Sequence, residues 1–224
     1  MTSLAALYQR IPLWAVFLIL VLGSGVYQYY AVRRRRRELA AWAMQSGWSF
    51  ATDEAEPDPD SYGQLDYFRQ GRSQGLANRM QPPGGESSEL LADHSFVTGS
   101  GKNSHTHAQT IFLCRLPFAA LPQFSLHPEN LGHKLLAMFG MQDVDFADDP
   151  EFSRRFLLRG ADEDAVRARF SPLCRAALAP HAGWSLEGDG EWLVLYRNET
   201  LCPPAGLQKF IADARIISGL FSAR

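Results

Sequence analysis

The chain has 224 residues, with 22 Lys and Arg against 24 Asp and Glu and a net charge of -2 at pH 7. That balance excludes the strongly basic face that nucleic-acid binding needs, and no cofactor-binding fingerprint is present. Cys114, Cys174 and Cys202 are odd in number and have neither CxxC nor metal-ligand spacing, which argues against a disulfide framework and for a reduced cytosolic setting.

Residues 1–10, with one arginine, read as a short extracytoplasmic N-terminus. An uncharged apolar run follows from Ile11 to about Tyr30. As a helix it covers roughly 30 Å, the thickness of a bilayer's hydrocarbon core, so 11–30 reads as a transmembrane helix. Trp14 near one end and Tyr27, Tyr29 and Tyr30 near the other place amphipathic rings at the two interfaces with the lipid bilayer. Arg33, Arg34, Arg35, Arg36 and Arg37 then follow without a break. By the positive-inside rule they hold the C-terminal part in the cytoplasm. Recognition of anionic lipid, at about 1 kcal/mol per residue, is a second role open to this block. Gly23-Ser24-Gly25 would suit a signal-peptide cleavage site, but weak charge before the run and the arginines after it oppose export.

Residues 31–47 read as a basic juxtamembrane helix, with Leu39, Trp42 and Ala43 on one face and Gly47 suited to the left-handed residue that ends it. Residues 48–224 form the expected cytoplasmic domain. Trp48-Ser49-Phe50 enters it as a short strand. An acidic loop at 52–63 follows, carrying Asp53, Glu54, Glu56, Asp58 and Asp60 and interrupted by Pro57 and Pro59. Gln64 to Gln70 suits a helical turn with Leu65 and Phe68 inward. Leu76 to Gln81 suits a strand.

Glu89 to Thr98 and Ser104 to Leu116 flank Gly99-Ser100-Gly101-Lys102-Asn103, the composition of a hairpin loop. Pairing Thr98 with Ser104 sets Leu90 opposite Phe112 and Phe96 opposite Thr106 on an apolar face. The polar face then carries Asp93 opposite Gln109 and Ser95 opposite His107. A one-residue slip mixes the two faces, so the first register is expected. Farther on, Gln123 to Leu126 reads as a strand, His127-Pro128 as the start of a helix running to Gly140, and Phe152 to Arg159 as a strand. Ala161 to Leu178 reads as a helix, 183–187 and 191–197 as a second hairpin, and Pro203-Pro204 as the start of a final helix. These elements predict an α+β fold, with an antiparallel or mixed sheet, helices packed on one face and one transmembrane helix in front.

Thr98-Gly99-Ser100-Gly101-Lys102 invites comparison with the phosphate-binding loop, but Phe96 stands where its first glycine belongs and a strand follows instead of a helix. Lys102, His105 and His107 are the candidate site residues, since alternating strand positions aim two imidazoles to one side. Two ligands do not make a metal site, and the expected register puts His94 on the other face, so none is assigned. Asp143, Asp145, Asp148 and Asp149 lack the EF-hand spacing and read as turn and cap residues.

Phe96 to Lys102 with His107 and Gln109-Thr110, Phe124 to Asn130, and Phe152 to Phe156 resemble segments of a family of uncharacterised bacterial single-span membrane proteins with a cytoplasmic domain. The resemblance implies an inner-membrane protein and brings no activity or catalytic residue with it. The function expected is therefore a membrane-anchored interaction or assembly module, meeting a protein partner or a second copy. Metal-assisted hydrolysis at His105 and His107 and anionic-lipid sensing are the alternatives.

Overall fold

The computed structural model describes residues 12–84, 88–129 and 141–222. Helix α1, Leu13–Ser46, runs for 34 residues without interruption, roughly 50 Å. It is the one helix among the described residues long and apolar enough to cross a membrane, and none of its apolar stretch is buried in the rest of the chain. It ends as its sequence dictates, with Gly47 at φ 71° donating its N–H to the carbonyls of Ala43 and Met44.

The strands are β1 (Ser49–Ala51), β2 (Arg72–Gln81), β3 (Glu89–Thr98), β4 (His105–Arg115), β5 (Leu121–Pro128), β6 (Gln142–Asp143), β7 (Phe156–Gly160), β8 (Ser185–Gly190) and β9 (Trp192–Tyr196). They form one nine-stranded sheet in the order β1-β2-β3-β4-β9-β8-β5-β7-β6, and each pairing is antiparallel. The fold is α+β. Among the described residues the remaining α-helices are α2 (Pro150–Arg155), α3 (Glu163–Arg169), α4 (Pro172–Leu178) and α5 (Leu207–Gly219).

One face of the sheet carries the larger core. Leu39 and Ala43 of α1, Val166 of α3, Leu178 of α4 and Leu207, Ile211, Ala214 and Ile217 of α5 pack there on Leu91, Phe112, Phe124, Leu186 and Leu195. The other face is covered by the two 3-10 turns at Tyr62–Gln64 and Asp66–Arg69. Their Leu65, Tyr67 and Phe68 form a second core with Leu76, Ala92, Ile111, Leu113, Val194 and Tyr196. Residues 31–46 of α1 are thus part of the domain's packing as well as a link to the membrane.

Several expectations need correction. The hairpin pairs Thr98 with His105, one residue away from the expected register, so that Phe96 faces His107, His94 faces Gln109 and Asp93 faces Thr110. Segregation of polar from apolar side chains decides register only where one face meets water. Here both faces are covered, and the hairpin's sheltered polar side chains, Asp93, His94, Gln109 and Thr110, make hydrogen bonds there. Phe152 to Arg155 is helix, because Asp149 caps Phe152 N–H at 3.1 Å and Pro150 occupies the first turn; only 156–160 is strand. The expected 161–178 helix is divided, since Pro172 has no N–H to continue it and Ser171 caps the restart through Cys174 N–H. His127 and Pro128 end β5, paired with Leu157 and Phe156. The helix expected from there to Gly140 falls mostly outside the described residues.

Candidate functional sites at the membrane junction and the hairpin tip

The arginine block does not act as a unit. Arg33 stacks over the Tyr29 ring at 4.5 Å, and Arg34 pairs with Glu38 one turn later at 2.7 Å. Trp14, Tyr27, Tyr29, Tyr30, Arg33, Arg34 and Arg37 are exposed on α1, while Arg36 is half-buried. Arg35 turns inward. Its Nε and Nη2 donate to the two oxygens of Asp93 at 2.8 and 2.7 Å, Nη1 donates to the Cys202 carbonyl at 2.9 Å, and Nη2 also reaches Thr110 Oγ1 at 3.1 Å. Asp93 accepts as well from Asn78 Nδ2 at 2.8 Å and Thr110 Oγ1 at 2.9 Å. Asn78 reaches it from a β-bulge at φ 51°. A guanidinium fork against a carboxylate, with the leftover donors also bonded, is the geometry in which a sheltered ion pair fixes position. The clamp ties α1 to β2, β3, β4 and the segment that leads into α5.

At the hairpin tip the one-residue shift changes which histidines meet. His94, Phe96 and His107 share one face, with Phe96 stacked between the two imidazoles at centroid distances of 5.5 and 4.7 Å. Glu199, in the turn after β9, places Oε1 at 2.9 Å from His107 Nδ1 and 3.3 Å from His105 Nε2. The donor atoms of His105, His107 and Glu199 all lie within 4.8 Å of one another. His107 Nε2 meets Thr98 Oγ1 at 2.8 Å. Burial works against it, yet the hydrogen bonds from His105 and His107 hold the Glu199 carboxyl below its ordinary range. Lys102 stands exposed in the 3-10 turn Gly101–Asn103, outside this group.

A buried hydrogen-bond chain leads inward from the tip. Glu199 N–H donates to Gln109 Oε1, Gln109 Nε2 to Tyr67 Oη at 2.7 Å, Tyr67 Oη to His94 Nδ1 at 2.8 Å, and His94 Nε2 to Gln74 Oε1 at 2.6 Å. The acceptor oxygen of Gln74 fixes the tautomer of His94, whose pKa burial lowers to about 4. Gln74 Nε2 donates in turn to the Gln70 carbonyl. Gln70 and Tyr196 both donate to Glu187, at 3.3 and 3.0 Å. Full burial raises the Glu187 carboxyl to about 8.

Asp93 and Glu199 were not singled out from the sequence. Asp93, a lone acid in Leu90-Leu91-Ala92-Asp93, does signal that a cation must meet it. Nothing local marks Glu199, because its partners lie some ninety positions away in sequence.

No protein-family model matches the chain, and no curated protein matches it. Among solved structures it is similar to the crystal structure of the mycobacterial trehalose monomycolate transport factor A, TtfA, with a TM-score of 0.59 and 13% identity over 85% of this chain and 97% of that one. At that identity the likeness is one of fold.

Proposed function

We propose that this protein is a non-enzymatic module tethered to the bacterial inner membrane by α1, with residues 48–224 in the cytoplasm, which binds a protein partner or a second copy of itself. The observation that carries the reading is the continuity of α1. Its first half is apolar and unburied, its last turns are built into the domain core, and Arg35 locks the junction. A flexible tether would let the domain explore all orientations. A continuous helix presents the same surface at the same height, which lowers the entropy lost when a neighbour in the membrane docks. Five arginines after the apolar run, against one before it, support the cytoplasmic orientation. The family resemblance and the fold shared with a transport factor support an accessory role in a membrane assembly. Arg33, Arg34 and Arg37 remain available to anionic headgroups, so lipid contact accompanies this reading.

Residue-specific photo-crosslinking in native membranes, with the crosslinker at exposed domain positions, tests it. A discrete crosslinked partner or a dimer is the expected result, together with labelling of a Lys102→Cys variant only after the cytoplasmic face is opened to reagent. Release of the protein by an alkaline carbonate wash, or labelling of that cysteine from outside intact cells, would overturn it.

A further inference from the structure

We infer that His105, His107 and Glu199 form a binding site for a first-row divalent transition metal of the Zn2+ class. The ligand set is two imidazole nitrogens and one carboxylate oxygen, the combination that such ions share with sites leaving a position open to water. Ligands held at about 2.0–2.1 Å around a tetrahedral ion stand roughly 3.4 Å apart. Glu199 Oε1 is already 3.3 Å from His105 Nε2 and 2.9 Å from His107 Nδ1, and all three ligand atoms lie within 4.8 Å of one another, so an ion would draw the two imidazoles together by side-chain rotation. His105 is 63% exposed, which leaves the fourth position to solvent.

The surroundings supply what separates a built site from a chance meeting of side chains. An ion on His107 Nδ1 takes the place of the proton shared with Glu199 and leaves the ring proton on Nε2, which lies against Thr98 Oγ1 at 2.8 Å. That is the outer-shell hydrogen bond that metal-bound imidazoles ordinarily make. Phe96 stacks on the same ring and limits its rotation. Glu199 is held at φ 50°, a left-handed conformation unfavourable for a glutamate. Its backbone N–H donates to the buried Gln109 at 2.9 Å, and the following carbonyl, of Thr200, accepts from Thr110 N–H at 3.0 Å. The carboxylate is therefore delivered to the hairpin tip by backbone contacts on β4. Hard cations such as Mg2+, which prefer six oxygens, have one carboxylate here and are not favoured. The inference concerns ligands alone and is independent of the membrane reading.

The full-length protein in detergent micelles, stripped with chelator, is titrated with ZnCl2 by calorimetry and with CoCl2 by visible absorption. One ion per chain and a tetrahedral or five-coordinate Co2+ spectrum are expected, with no uptake of millimolar Mg2+. Glu199→Gln keeps the size and hydrogen bonding of the side chain, so its circular dichroism should be unchanged while Zn2+ affinity falls by at least about tenfold. His107→Ala should lose more, Thr98→Val roughly tenfold, and Lys102→Ala nothing. Failure of the native chain to take up Zn2+ or Co2+ saturably would sink the inference. So would uptake that Glu199→Gln and His105→Ala both leave at native affinity.

Discussion

The guanidinium of Arg35 meets the carboxylate of Asp93 side-on, Nε to Oδ2 at 2.8 Å and Nη2 to Oδ1 at 2.7 Å, with the two side chains only 18% and 11% exposed. Four side chains away from any catalytic pattern thus decide how the membrane helix meets the sheet: Arg35, Asp93, Asn78 and Thr110. Arg33 and Arg34 make local contacts along the helix, with Tyr29 and Glu38, and carry no comparable constraint.

Arg35→Ala strands a sheltered carboxylate with two neutral donors. It should lower stability by about 2–3 kcal/mol, at the lower end for broken sheltered pairs because Asp93 keeps Asn78 and Thr110. Arg35→Lys recovers only part of this, since an ammonium cannot span both Asp93 oxygens and the Cys202 carbonyl together. Arg34→Ala, whose partner Glu38 is exposed, should leave stability close to native. Thermal unfolding in micelles orders the three, and an Arg34 effect as large as that of Arg35 would contradict the division of the block.

A second expectation concerns where the folding unit begins. Leu39 and Ala43 have no exposed surface, and the Trp42 and Trp48 rings pack at 5.6 Å. Removing a buried leucine alone costs about 2–5 kcal/mol, a large share of the 5–15 kcal/mol typical of a domain. A chain starting at residue 32 should therefore be soluble and unfold cooperatively. One starting at residue 48 should bind hydrophobic dye and melt without a sharp transition. Equal cooperativity of the two in calorimetry would refute the claim that 32–46 belongs to the core.

The sequence made much of this legible. The apolar run, the Gly47 stop, the two hairpins and the inward residues of α5 follow from periodicity and caps, which act over a few residues. Phe152 and Phe156 misled because positions four apart on a helix also share a face of an alternating strand; the cap at Asp149 was the stronger signal. The hairpin register was not legible, because it depends on Tyr67 arriving over the second face to satisfy His94 and Gln109. Glu199 was hidden for a similar reason: its place beside His105 and His107 exists only after β9 pairs with β4.

The cysteines give a third test. Burial pushes Cys114 up to about 12 and Cys174 up to about 11, and raises Cys202 as well. The thiolate is the reactive form, so at pH 8 the native protein should be nearly silent to a chromogenic disulfide reagent. In denaturant all three thiols should react within minutes. Rapid native labelling of any of them would show that its core opens far more readily than its packing implies.

The pH dependence of stability follows from two kinds of buried group. Burial holds the Glu187 carboxyl at about 8 against 4.5, so between those values the native state binds a proton that the unfolded state has lost. Stability must then fall as pH rises through that window. Burial, assisted at His127 by Arg159, holds His94 and His127 at about 4 against 6.5. There the unfolded state binds the extra protons, and stability is lost as pH falls from 6.5 towards 4. With two histidines opposing one carboxyl below pH 6.5, the melting temperature should climb from pH 4, peak near pH 6.5 and decline towards pH 8. Glu187→Gln, which keeps the bonds from Tyr196 and Gln70 without the titration, should flatten the alkaline side and steepen the acid side, where the carboxyl no longer opposes the two histidines. Differential scanning fluorimetry across pH 4 to 9 reads both limbs; an alkaline decline that persists undiminished in Glu187→Gln would assign it to another group.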